Sequence, residues 1–404
     1  MSASLKLTSG SQGHGQLNLI YSAVETTAKS RGWNGVDLVI ICGDFQAVRN
    51  AQDLTVMSCP AKYRRLGDFH EYYSGFRRAP YLTIYIGGNH EAIAHHWELP
   101  YGGWVAPKIY YLGFANVVRF GPLRIAGISG IEKGPNNGAV YNTPHSERPP
   151  FDHKEIASFY QVREPDVTKL RHVTGQVDIF LSHDWPREIE KHGDEDAVFR
   201  DNPRWKQSAM TSQLGSLSGA QLLDVLKPAY WFSAHMHYRF EALVEHAGQG
   251  SNEAVSHART RFLALSKCIP WKSIKEHLQL EHIRPATKTS ESSNISKFRL
   301  EYDPEWLAIT RAFNCALGGT SKDASQSKSK DTDIGKNISR ERSWVDENLV
   351  AKGNLTIPED FVPTAPAHTP GSPEISKNQN IGYSSPQTAS FCQMLGIENM
   401  FAKG

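Results

Sequence analysis

Several features that would restrict the chain to a special environment are missing from it. Its five cysteines, Cys42, Cys59, Cys268, Cys315 and Cys392, are odd in number, widely spread and never spaced as CxxC. That excludes a disulfide framework and a cysteine-based zinc module. No apolar run approaches the ~18 residues needed to span a bilayer, and the opening MSASLKLTSGSQ lacks the apolar core of a secretory signal. Net charge is scarce too, because 44 Lys and Arg against 42 Asp and Glu leave only +2. No whole-molecule field announces a polyanion, so a nucleic-acid site has to be a local patch. No basic run of roughly five to eight residues marks a nuclear import signal. The reading is of a soluble, intracellular protein in a reducing compartment, with no membrane contact.

What is present is a core and an excess of histidine. Hydrophobic residues make up 39% of the 404, which excludes a wholly disordered chain, and 17 residues are His. Short runs dense in β-branched and aromatic residues read as buried strands: VDLVIICGD (36–44), YLTIYIGGNHE (81–91), LRIAGISGI (123–131), VDIFLSHDWP (178–186) and YWFSAHMH (230–237). Helix-compatible stretches at 17–31 and 155–172 separate some of them, so the class is α/β with helices flanking packed sheets. Residues 247–257 read as a polar loop, and 300–313 as an amphipathic helix. Residues 317–343, rich in Ser, Lys, Asp and Gly, read as a flexible, disordered linker.

The strongest strands share one property, a good metal ligand in the turn that follows. Asp44 follows VIIC, Asn89 and His90 follow TIYIG, His183 follows DIFLS, and His235 and His237 follow YWFSA; His14 stands ahead of a helix-like stretch. In α/β sheets, groups from different strands converge at the carboxyl ends. A carboxylate can bridge two cations, an amide oxygen is a neutral ligand, and imidazoles suit Zn, Fe or Mn. His235 and His237, two apart, point to one face of an extended strand. A cation pair roughly 3.5–4 Å apart lowers the pKa of a bridging water and clamps both oxygens of a phosphate ester. Each motif is weak alone, since Gly-Asp is usually only a turn, but their joint occurrence in this order points to a dinuclear site. His90, beside a ligand, is placed to protonate a leaving oxygen. His95 and His96 lie outside the pattern and are expected on the solvated surface. Trp104 and Trp185 are expected in the core, and Cys42 as ordinary strand sequence.

These blocks resemble the calcineurin-like metallophosphoesterases, and more closely the RNA lariat debranching enzymes. The closer resemblance rests on CGDFQAVRN (42–50), PYLTIYIGGNHEA (80–92), LPYGGWVAPKIYYLG (99–113), FLSHDWP (180–186), SAHMHYRF (233–240), RFLALSKC (261–268) and PQTASFC (386–392). It implies a β-sandwich flanked by helices over 1–245 and a C-terminal debranching-enzyme domain over 258–316 and 344–404. One metal would be held by His14, Asp44 and His237, and a second by Asp44, Asn89, His183 and His235. His90 would be the general acid. The implied reaction is hydrolysis of the 2′–5′ phosphodiester at the branch point of excised intron RNA, in the nucleus, with two divalent ions (Fe2+, Zn2+ or Mn2+). A lariat-recognition loop would span about 129–159, with Lys133, His145, Arg148, His153 and Lys154 toward RNA phosphates and Tyr141 and Phe151 available for stacking. The basic segments KYRR (62–65) and FRR (76–78) are either phosphate contacts or plain surface charge.

One departure stands out. The debranching family carries C-x-H after an apolar first strand, whereas here Gln12-Gly13-His14 follows a polar start that reads as a poor strand. A neutral amide replaces an anionic thiolate, so the first metal position loses charge. Either the first exon is misassigned, the preferred explanation, or the chain is a divergent copy with weakened activity. Two further readings are another dinuclear metallophosphoesterase and a non-catalytic RNA-binding protein. A Ser/Thr phosphatase would carry a phosphate-holding Arg soon after Gly-Asp, as in GDxxDRG; here GDFQAVRN offers Gln46 and Arg49.

Overall fold

A computed structural model describes residues 5–10, 13–133, 138–246, 259–283, 298–318, 327–373, 376 and 382–402. Gln12, the polar loop 247–257, residues 134–137 of the expected recognition loop and 319–326 of the expected linker lie outside the described residues. In chain order the strands are β1 (Leu5–Gly10), β2 (Leu38–Ile41), β3 (Thr83–Tyr85), β4 (Gly103–Ala106), β5 (Ile109–Tyr111), β6 (Ala115–Phe120) and β7 (Leu123–Ile128). They continue as β8 (Ile179–Ser182), β9 (Tyr230–Ser233), β10 (Phe240–Glu245), β11 (Arg259–Ala264), β12 (Leu278–Ile283) and β13 (Leu300–Tyr302). One sheet runs β12-β1-β2-β3-β5-β4, the other β10-β11-β9-β8-β7-β6-β13.

The two sheets pack face to face between helices, as the strand pattern requires. Leu38 and Ile40 of β2 and Ile84 of β3 point inward, against Ile125, Ile179, Leu181 and Phe232 of the other sheet. Their neighbours Val39, Ile41 and Tyr85 point outward and are covered by Ile20, Tyr21 and Val24 of the helix Leu17–Ser30. Both faces of these strands are buried, which is why they read as unbroken apolar runs. On the far side, Phe180 and Trp231 meet Val167, Leu170 and Leu222 from the helices Glu164–Arg171 and Leu217–Leu226. Trp104 and Trp185 are buried in the core, as expected. No helix among the described residues is long and apolar enough to cross a membrane.

Two expectations are corrected. The polar start is a strand after all: β1 pairs antiparallel with β12 and parallel with β2, and Leu5 and Leu7 are fully buried. An interior strand is stabilised by two hydrogen-bonded ladders and its neighbours' packing, so its own composition predicts little. The linker is corrected in part, because Ser327–Val345 is helical. A few anchors suffice to hold this polar segment: Ile338 packs toward the second sheet's outer cluster, and Arg311 Nε donates to Glu341 at 2.7 Å. The helix expected at 300–313 is found as Pro304–Gly318, directly after β13.

Residues beyond β10 complete the sandwich, since β11 fills the place between β10 and β9, β13 adds the far edge of that sheet and β12 an edge of the other. The later segment also straps the loop after β2. Arg49 is wholly buried; its Nε and Nη2 bond Asp53 at 2.8 and 3.0 Å, and its Nη1 bonds Glu98 at 2.7 Å and Thr364 Oγ1 at 3.0 Å. Tyr73 Oη donates to Ala365 O at 2.8 Å, and Asn50 Nδ2 to Pro366 O at 2.6 Å. Removing the one cation strands two buried carboxylates, which costs about 3–5 kcal/mol. Arg49→Met should lower the unfolding free energy by that amount in urea titrations. A loss under about 1 kcal/mol would show that the cluster does not hold the fold together.

Candidate metal centre

All six residues singled out as ligands lie past the carboxyl ends of parallel strands, β1, β2 and β3 from one sheet and β8 and β9 from the other. The loops after β1 and β2 are stitched together where His14 N donates to Asp44 O at 2.5 Å. Close approach of the two sheets' turns requires missing side chains. A Cβ on Gly43, whose φ is +98°, would sit 2.3 Å from His183 Nδ1, and one on Gly88 would sit 2.3 Å from Asp44 Oδ1. His14, Asp44, His235 and His237 have φ of 40, 44, 57 and 54°. Left-handed backbone at such residues costs about 1–3 kcal/mol each and persists only where the surroundings impose it.

The electrostatics call for a cation. Asp44 is buried; its Oδ1 accepts from His90 N at 2.8 Å, and its Oδ2 accepts no hydrogen bond. Burial alone would raise its pKa, but the imidazoles of His183, His14 and His90 and the His90 N–H outweigh that and hold it well below the usual range. His183 Nδ1–H donates to Cys42 O at 2.7 Å, which leaves its Nε2 lone pair facing Asn89 Oδ1 at 3.1 Å and Asp44 Oδ1 at 3.4 Å. Three acceptors thus meet with no donor among them. On the other side of Asp44, His14 Nε2 is 3.6 Å from Oδ2, and the His14 and His237 rings are 5.5 Å apart. One ligand atom from each of His14, Asp44 and His237 lies within 4.8 Å of the others. Burial pushes His14 down to about 4 and lowers His183 and His235, which favours the neutral imidazole form that ligates metal. The residues present therefore fit divalent metal.

His90 is set apart by its bonding. Its Nδ1–H donates to Ser58 O at 3.0 Å, so Nε2 turns toward Asn89, 3.3 Å from the amide nitrogen. Two supporting residues escaped the sequence reading. Glu91 is buried and accepts from the backbone N–H of Phe45 (2.7 Å), Gln46 (2.5 Å) and Gly88 (3.1 Å), tying the Asp44 turn to the Asn89 turn. Gln46 brings its amide nitrogen to 3.4 Å from His14 Nδ1. The acidic position in GNHE was the available signal for Glu91; Gln46 had none.

The expected RNA-facing loop is mixed: Lys133, Arg148, His153 and Lys154 are exposed and Tyr141 and His145 half-buried, while the stacking expected of Phe151 is corrected, because its ring is buried. His145 stacks on Phe114 at 3.7 Å between Glu147 and Asp166, at 3.6 and 3.4 Å. Arg148 donates to the carbonyls of Glu147 and Met400 at 2.8 and 2.6 Å. Tyr141 Oη is shared with Ser218 Oγ at 3.0 Å, and Phe151 is buried against Trp97. Lys133 is exposed, with Nζ 3.4 Å from Ala157 O. His95 and His96 are likewise buried rather than solvated, because the whole turn Ile93–Trp97 packs inward. His96 Nε2 is 2.9 Å from Tyr85 Oη, and its ring stacks on Tyr111.

Comparison with known proteins gives this geometry a family. The family model described as calcineurin-like phosphoesterase matches residues 13–239, more than half of the chain, so fold and site define a calcineurin-like phosphoesterase. A second model, lariat debranching enzyme, C-terminal domain, matches 257–400. The chain is 41% identical over 385 residues to the lariat debranching enzyme of Homo sapiens, covering 95% of this chain and 68% of that protein. The Arabidopsis thaliana enzyme is 41% identical over 390 residues (95% and 84%), and the Schizosaccharomyces pombe enzyme 36% over 459 (95% and 94%). The chain belongs to the lariat debranching enzyme family, and its catalytic class is that of a phosphodiesterase.

Gly88→Ala tests the crowding at the centre. The added methyl has to displace Asp44 and His183, so bound metal measured by elemental analysis should fall at least severalfold while the circular dichroism spectrum is kept. Undiminished metal would mean that these side chains do not need their present contact.

Proposed function

We propose that the protein hydrolyses the 2′–5′ phosphodiester at the branch point of excised intron RNA lariats, in intron turnover, using two divalent ions from among Fe2+, Zn2+ and Mn2+. The observation that carries this reading is the donor-poor carboxylate of Asp44, set between two groups of neutral ligands in a chain of this family. One ion would be held by His14, Asp44 and His237, the other by Asp44, Asn89, His183 and His235. When bound, the ions supply Lewis acidity toward the phosphate and a water nucleophile active at neutral pH.

The chain's own groups do the rest. The Cys42 carbonyl fixes the tautomer and direction of His183. The Ser58 carbonyl holds His90 Nδ1–H in the same way, so Nε2 is the atom that, when it carries the second proton of the imidazolium, passes that proton to the departing 2′ oxygen and is left as the neutral ring nitrogen. Glu91 keeps the two ligand turns in register. The reading includes branched RNA as substrate and, because introns are excised there, the nucleus as the place of action. A phosphatase of the GDxxDRG kind is disfavoured by Arg49, which is buried among Asp53, Glu98 and Thr364 and faces no phosphate site.

The test is incubation of the purified protein and Mn2+ with a branched RNA, a linear 3′–5′ RNA and a phosphopeptide. Cleavage of the branched RNA alone is expected; equal cleavage of all three, or of the phosphopeptide alone, would refute the proposal. His90→Ala should slow the reaction about 10²–10⁴-fold and spare metal content. If the metal is lost with it, His90 is a ligand and its proton-transfer role is wrong.

A further inference from the structure

Besides the exposed cations of the expected recognition loop, two further exposed segments border the metal centre. The first runs over residues 58–68. At one end Ser58 O accepts from His90 Nδ1, and at the other Asp68 N donates to Gly15 O at 3.1 Å beside His14. The Asp68 carboxylate also accepts from Leu17 N and Asn18 N at 2.8 and 2.7 Å, so this end is firmly tied. Between these anchors Arg64 bonds the carbonyls of Cys59 and Thr55, which leaves Lys62, Tyr63 and Arg65 on the outside. Tyr63 is 59% exposed, with Lys62 Nζ 4.8 Å from its ring centre. Among the described residues neither Lys62 nor Arg65 has a carboxylate partner.

The second segment follows β11. Ser266 Oγ donates to His237 O at 2.7 Å, and Lys272 Nζ donates to Ser266 Oγ and reaches His237 O at 3.5 Å. Next to Lys272 stands Trp271, 81% exposed, and Lys267 lies near enough that its charge acts on both His14 and His237. Folding gives no reason to leave an indole in water beside ammonium groups. Aromatic faces among cations are what unpaired nucleotides bind, bases stacking while phosphates meet charge.

We propose that Tyr63 and Trp271 are stacking platforms on two flanks of the metal centre, one at His90 and one at His237, for unpaired nucleotides around the scissile bond. Lys62, Arg65 and Lys267 take the adjoining phosphates. The identity of the RNA as branched rests on the reaction proposed above. A branch nucleotide sends strands away in more than one direction, which suits platforms on two sides rather than one continuous groove. The near-neutral net charge is no obstacle, because the cations needed are local.

The experiment measures Kd for a fluorescein-labelled single-stranded RNA by anisotropy, and KM for branched RNA by cleavage, with the full-length Mn2+-loaded protein. Tyr63→Ala and Trp271→Ala should each raise both constants at least fivefold, and Tyr63→Phe and Trp271→Phe should stay within about twofold of wild type. Lys62→Ala and Arg65→Ala should each flatten the slope of log Kd against log salt by about 0.7. All four positions are exposed, so the fold should survive, as melting curves would verify. Alanine variants that bind single-stranded RNA as the wild type does would overturn the proposal. A wild type that leaves branched RNA uncut while the alanine variants lose single-strand affinity would sink the reaction and keep the platforms.

Discussion

Asp44 carries negative charge where water does not reach, and one of its oxygens takes no hydrogen bond. An uncompensated buried carboxylate costs several kcal/mol, and much of the surrounding architecture exists to make that charge useful. Neutral imidazoles and an amide oxygen, rather than ammonium groups, converge on it. They attract a metal ion but do not replace one. Gly43 and Gly88 are bare so that the turns of two sheets can meet around it, and its own backbone, with those of His14, His235 and His237, is bent into the left-handed region to aim the ligands.

Strain of this kind needs a frame that cannot relax, and the sandwich supplies it from far along the chain. β12 flanks β1 and so steadies the approach to His14, while Thr364, Ala365 and Pro366 bind the loop that follows Asp44. Glu91 does locally what the C-terminal segment does globally. It holds two turns together through three backbone N–H groups, so that a change in one is felt in the other.

The catalytic half of this picture was legible because its signals are local. A strand buried on both faces reads as an apolar run, and a ligand in the next turn reads as chemistry once five such turns recur in order. What escaped was decided by partners distant in sequence. β1 is a strand because β2 and β12 flank it, though its residues argue otherwise. Phe151 reads as a stacking residue until Trp97, far back in the chain, is seen to cover it. His95 and His96 look like surface residues until Tyr73, Tyr85 and Tyr111 close around them. The linker reading failed over 327–343 for the same reason, since this polar helix docks through a few anchors, Ile338, Glu341, Trp344 and Val345.

The most direct test is titration of metal-stripped protein with Mn2+, followed by electron paramagnetic resonance. Two bound ions per chain sharing the Asp44 carboxylate would give a spin-coupled spectrum, and Asp44→Asn should abolish the coupling. A spectrum of isolated Mn2+ at full loading, unchanged by Asp44→Asn, would contradict a centre built around that carboxylate.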